Sequence, residues 1–176
     1  MPSQAGSKHE TCRVAANDVP GWQLVRILVQ QYVDSLAIDL AFQNFADELA
    51  RLEQVYTSPT GAMCIARADG DAVGCVGVRS LADGVCEMKR LYVSDVGRGR
   101  GLGRLLVSAA LRSARELGYV TMRLDTLPSM LTAKALYLAE GFTATAPYYQ
   151  SPIVGTSFMQ VDLLAWERRQ DGRESS

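Results

Sequence analysis

The sequence predicts an α/β (α+β) fold, a mixed, mostly antiparallel, twisted sheet with helices on both faces. Three observations carry that reading. Strand-like runs follow one another between residues 62 and 93 with only short turns between them, as antiparallel hairpins do. At Leu102 the apolar spacing changes from that of a strand to that of a helix. Beyond that helix come a strand, a second helix and two closing strand-like runs, so one connection is a crossover rather than a hairpin.

Taken in order, residues 1–10 are polar and read as a flexible tail. Thr11 to Ala16 reads as a short strand. Asn17 and Asp18 ahead of Pro20 start a helix, with a capping side chain and proline in the first turn. Its apolar face is Val25, Leu28, Val29, Tyr32, Val33 and Leu36. A second helix is expected from Ala41 to Leu52, with Phe42, Phe45 and Leu49 on one face and Asp47 and Glu48 on the other, before the turn Ser58-Pro59-Thr60-Gly61. Ala62–Ala68, the turn Asp69-Gly70-Asp71 and Ala72–Ser80 form a hairpin, and Asp83-Gly84 leads into Val85–Val93. Leu102, Leu105, Leu106, Ala109, Ala110 and Leu117 share one helical stripe that Gly118 closes. A strand at Val120–Thr126, a helix opened by Pro128 and Ser129 and ended before Gly141, and strands at Phe142–Thr145 and Phe158–Leu164 complete the pattern.

A chain of 176 residues suits one core, so residues 11–166 read as a single domain and residues 167–176 as a charged tail. A net charge of −1 argues against a broad nucleic-acid-binding face. The cysteines Cys12, Cys64, Cys75 and Cys86 lack Cys-x-x-Cys spacing and the only histidine is His9, so no metal site is expected. No apolar leader or membrane-length run appears, which reads as a cytoplasmic protein with no membrane partner.

The chemistry gathers at Arg98-Gly99-Arg100-Gly101-Leu102-Gly103-Arg104, between the strand ending Leu91-Tyr92-Val93 and a long helix. A strand-to-helix junction aims free backbone N–H groups and the positive end of the helix dipole at an anion. Glycines let a pyrophosphate approach those amides, and the arginines add fixed charge. The Gly-Lys-Ser/Thr ending of a P-loop is absent.

Arg98-x-x-Gly101-x-Gly103 resembles the acetyl-coenzyme A motif of the GCN5-related N-acetyltransferases (GNAT family), and Ala135-Leu136-Tyr137-Leu138-Ala139-Glu140-Gly141-Phe142 resembles a second motif of that family at the expected distance. The resemblance spans about residues 62–164. It implies the acyl-CoA N-acyltransferase fold, in which the strands flanking the cofactor helix splay apart. It also implies acetyl-CoA as cofactor, with pantetheine pairing to Leu91, Tyr92 and Val93 and the phosphates held by Arg98, Gly99, Arg100, Gly101, Leu102, Gly103 and Arg104. The implied activity is acetyl transfer to a primary amine of a small molecule or peptide, by direct attack in a ternary complex. A non-catalytic acyl-CoA-binding or sensing module on the same fold is the competing reading. Edge-strand pairing leaves a homodimer open.

Acetyl transfer needs a base for the amine, an oxyanion donor and an acid for the departing thiolate. The resemblance places Glu87, four residues before Leu91, as the base; a carboxylate merely paired with Lys89 or an arginine reads the same residue as structural. Lys89 and Arg90 read either as receptors for a negative substrate group or as solvated strand charges. A backbone N–H of the 91–93 segment is the expected oxyanion donor. Tyr137 is the expected acid, or a packing residue by its helical spacing. Tyr148 and Tyr149 read as substrate-binding residues, with a lid or a dimer contact as alternatives. Asp34, Asp39, Asp47 and Glu48 read as an acidic rim or as solvated helix faces. Met130 stands where many family members carry asparagine, with Ser129 beside it as a substitute.

Overall fold

The computed structural model describes residues 8–36 and 44–174. The chain runs β1 (His9–Arg13), α1 (Val19–Leu36), α2 (Phe45–Ala50), α3 (Leu52–Val55), β2 (Ala62–Ala68), β3 (Asp71–Ala82), β4 (Val85–Val93), α4 (Leu102–Glu116), β5 (Thr121–Thr126), α5 (Leu131–Glu140), β6 (Thr143–Ala144), β7 (Ser157–Asp162) and α6 (Leu163–Glu174). The strands form one sheet in the order β1-β2-β3-β4-β5-β7-β6. β4 and β5 are parallel and every other pair is antiparallel. The α4 crossover is therefore what makes the sheet mixed, as the change of period at Leu102 predicts.

Each face of the sheet has its own core. Side chains of α4, such as Leu106 and Leu111, pack with Met88, Met122 and Leu124 on one face. On the other, Val25, Leu28 and Val29 of α1 and Leu52 of α3 pack on Met63, Ile65 and Cys75. Strand alternation sends Met63 and Cys64 to opposite faces, which is how a continuous apolar run serves both.

Two irregularities make the site. The β4–β5 pairing is short, Val85↔Thr121, Cys86↔Met122 and Glu87↔Arg123. After Glu87 the end of β4 leaves β5, while β5 stays paired to β7 as far as Thr126↔Ser157. The β3–β4 register also shifts between Cys75 and Gly77, and opposite that shift Arg90 has φ 59, a left-handed backbone rare outside glycine. Together they open the sheet between Val93 and Thr126.

Several expected boundaries move. β1 starts at His9 rather than Thr11 and ends at Arg13. The second helix is two short ones separated at Arg51; Ala41 and Phe42 lie outside the described residues. The last strand stops at Asp162, because the Asp162 carboxylate accepts from the Ala165 N–H at 2.9 Å and starts α6. The charged segment expected as a tail is helical to Glu174. It is tied down by Trp166 Nε1 donating to Glu140 at 3.1 Å and by an Arg115–Glu167 ion pair.

Candidate active site

The turn after β4 is built as the sequence predicts. Gly101 is the N-cap residue of α4 with φ 75, and Gly99 has φ 73, both in the region glycine reaches without strain. A Cβ added at either would meet nothing within 4 Å, so the turn faces open space. The first-turn amides of α4 have no partner within the helix.

The opening between β4 and β5 continues this turn into a groove of about 700 Å³. Its walls carry Leu91, Tyr92, Val93, Arg98, Gly99, Gly101, Leu102, Gly103 and Arg104, together with Ser129, Met130 and Leu136 from the α5 side. Nine of the ten expected cofactor-binding residues thus lie on one surface. Arg100 is the exception: it does not line the groove, and Nη1 donates to Asp69 Oδ2 at 3.1 Å. Arg98 is mostly exposed beside Asp95, and Arg104 reaches back to Glu140 at 3.3 Å. Met130 caps α5 without a side-chain hydrogen bond and lines the groove beside Ser129.

At its inner end the groove meets a small cavity of about 30 Å³, room for a single water, lined by Tyr32, Lys89, Arg90, Leu91, Asp125, Met130 and Tyr137. Tyr137 is buried with its ring 5.6 Å from that of Phe142. Burial raises its hydroxyl pKa, so the hydroxyl stays protonated at neutral pH.

Around that cavity lies a buried ladder of charge. Arg90 grips Glu48 with Nε and Nη2, both at 2.9 Å, and its guanidinium lies 5.2 Å from the Phe45 ring centre. Tyr56 donates to Glu48 Oε1 at 2.6 Å. Arg79 links Glu48 at 3.2 Å to Glu87 at 2.9 Å. Tyr148 donates to Glu87 Oε1 at 2.8 Å, and Tyr149 donates to Asp125 Oδ2 at 3.0 Å. Lys89 bridges the start of the splay, 2.9 Å from Asp125 Oδ1 and 3.8 Å from Glu87. For Glu48, burial pushes the carboxyl pKa up, but hydrogen bonds and charge from Arg90 outweigh it and hold it below its ordinary value. Burial, then the Glu87 charge, pushes the Tyr148 hydroxyl well up.

This ladder revises the sequence reading. Glu48 is not an exposed rim residue: it is 6% exposed and neutralises Arg90. Lys89 and Arg90 are neither solvated nor free to bind a substrate anion, since Asp125 and Glu48 hold them. Asp34 and Asp47 are exposed, and Asp39 lies outside the described residues. Glu87 and Tyr148 are brought together, and Glu87 is also paired with Arg79. The tyrosines pack with each other and with Phe158 at ring distances of 5.1–5.7 Å. Arg79 and Asp125 were missed. For Asp125 the signal was a polar residue at alternate positions of a central strand, Thr121, Arg123 and Asp125 in β5, where an inner strand with helices on both faces should be apolar throughout; Arg79 carried no such signal. Among the described residues no group of His, Cys, Asp and Glu is placed to hold a metal, and no helix is long and apolar enough to cross a membrane.

The family model for the acetyltransferase (GNAT) family matches residues 23–142. An uncharacterised N-acetyltransferase of Schizosaccharomyces pombe is 44% identical over 140 residues, covering 78% of this chain and 86% of the relative. The crystal structure of an inferred acyl-CoA N-acyltransferase of Klebsiella pneumoniae superposes with a TM-score of 0.66 at 27% identity, over 88% of this chain and 97% of the other. At 20% identity, a structure of an inferred acetyltransferase from Salmonella typhimurium with its cofactor acetyl-CoA gives a TM-score of 0.59 over 88% and 94%. It shares the fold.

Proposed function

Because the chain belongs to the GNAT acetyltransferase family, we propose that it transfers the acetyl group of acetyl-CoA to a primary amine of a small molecule or peptide, within a ternary complex. One observation supports this most. A single groove runs from the glycine turn and α4 N-terminus to a polar cavity holding Tyr137 at the point where β4 and β5 part.

Acetyl-CoA, when bound, supplies an acetyl group activated as a thioester. The groove suits it: open space over Gly99 and Gly101, first-turn amides and Arg98 and Arg104 for phosphate, and a strand edge at Leu91 to Val93 that β5 leaves unpaired. Backbone amides of that edge are the oxyanion donors in this reading. Glu87 is the base. The Tyr148 hydroxyl that donates to it extends its reach, taking a proton from the incoming ammonium as it passes its own to Glu87 Oε1. Arg79 fixes the Glu87 carboxylate in place. Tyr137 protonates the departing thiolate in this reading, its hydroxyl kept protonated at neutral pH by burial.

Amine-dependent release of free thiol from acetyl-CoA by the purified protein tests the reading. Saturable binding of acetyl-CoA, with no thiol released by amino acids, polyamines, aminoglycosides or peptides, would instead favour the binding module.

A further inference from the structure

Among the described residues the ladder contains three carboxylates, Glu48, Glu87 and Asp125, and four cations, Arg79, Lys89, Arg90 and the half-buried Arg123. Three of the cations are matched: Arg90 by Glu48, Arg79 by Glu87 and Lys89 by Asp125. Arg123 is the one left over. It lies beside Glu87 in the β4–β5 register and between Met122 and Leu124, so its side chain is on the Glu87 and Asp125 face of β5. Its guanidinium sits 5.8 Å from the centre of the Tyr148 ring and is in no ion pair among the described residues. Its Nε is buried and has no hydrogen-bond partner. A planar, permanently charged donor with an orphaned buried N–H needs an acceptor, and the described residues supply none here.

We propose that Arg123 is a specificity residue that binds a carboxylate on the acceptor, so that the substrates are amines that also carry a carboxylate, as free α-amino acids do. This rests on the acetyltransferase reading and narrows it. Tyr148 connects the two halves of the recognition. Its hydroxyl faces Glu87, where the amine would lose its proton, and its ring lies under the Arg123 guanidinium, so an acceptor over Tyr148 presents its amine and its carboxylate to different partners of one side chain. A polyamine would bring a second cation toward Arg123 and be disfavoured. A monoamine without a carboxylate would leave the guanidinium unmatched.

L-leucine and isopentylamine differ only in the carboxylate and form the test pair, with spermidine as the polycation. The expected kcat/KM order is L-leucine first, by about 10- to 100-fold over isopentylamine, the scale of a charge-assisted hydrogen-bonded pair. In Arg123→Gln that ratio should collapse to within about threefold of unity, and Arg123→Lys should hold an intermediate value, since a point charge attracts a carboxylate without the bidentate fork. A wild-type ratio near one, a ratio that survives Arg123→Gln, or a preference for spermidine would overturn the proposal while leaving the acetyltransferase reading intact. Calorimetric binding of L-leucine with coenzyme A present decides the matter even if no amine is turned over. Tenfold or greater weakening in Arg123→Gln supports the proposal, and equal affinity in the two proteins overturns it.

Discussion

The two ends of the groove are built from different materials. At the glycine turn the binding groups are backbone: helix amides, an unpaired strand edge and residues with no side chain, with Arg98 and Arg104 mostly exposed. At the splay they are side chains, Arg79, Glu87, Lys89, Arg90 and Asp125, held by one another and largely removed from water. A backbone site needs little besides a correct turn, so it tolerates many sequences but no bulk. In a buried ionic pair each charge relies on its partner, so losing one member leaves a charge stranded. The first end should therefore respond to substitution through cofactor affinity and the second through stability or rate.

The largest effect expected is on stability. Arg90→Met leaves Glu48 buried with only Arg79 and Tyr56, and should cost about 3–5 kcal/mol in urea unfolding, as removing one partner of a buried pair does. The same pairing has a pH signature. The Glu48 carboxyl is held below its ordinary value of 4.5, so its contribution is complete above that pH and is lost as the pH falls through the lower folded value. The acid limb of stability should be shallower in Arg90→Met than in the native protein.

Next come the rate effects. Glu87→Gln keeps the shape of the ladder and should lower kcat about a hundredfold, with the loss shrinking at high pH where more amine is already neutral. Near-native turnover at neutral pH would move the base to water or to Tyr148. Tyr137→Phe removes only the donor, so kcat should fall while thermal stability and coenzyme A affinity hold. An unchanged rate with several acceptors would leave Tyr137 as a packing residue.

The smallest effect sharpens the contrast. Arg100 belongs to the sequence motif but turns to Asp69 at the surface, so Arg100→Ala should change coenzyme A affinity by less than about 0.5 kcal/mol. A larger loss by calorimetry would show that Arg100 swings into the groove.

The same difference in material explains what was legible in the sequence. The Arg98 to Arg104 turn and the helix behind it could be read because glycine spacing and a change of period are local signals. So could β2, β4 and the α4 start at Leu102, where local propensity and tertiary position agree. Of the ladder only the pairing of Glu87 with Lys89 or an arginine could be read. Arg90 meets Glu48 across 42 residues and Lys89 meets Asp125 across 36, and nothing local distinguishes Glu48 from its exposed neighbour Asp47. The end of β7 was misplaced for a related reason. Leu163 and Leu164 suit a strand as well as a helix, and the Asp162 cap decides between them.

The most direct measurement compares Gly103→Val and Glu87→Gln in one experiment, reading coenzyme A affinity by calorimetry and amine-dependent thiol release for each. Gly103 lines the groove on the first turn of α4, and a branched side chain there should cost more than about 2 kcal/mol of coenzyme A affinity in a folded protein. Glu87→Gln should bind coenzyme A as the native protein does and release thiol about a hundredfold more slowly. Native affinity in Gly103→Val, or a loss of affinity in Glu87→Gln matching its loss of rate, would contradict a groove divided into a backbone end that binds and a side-chain end that reacts.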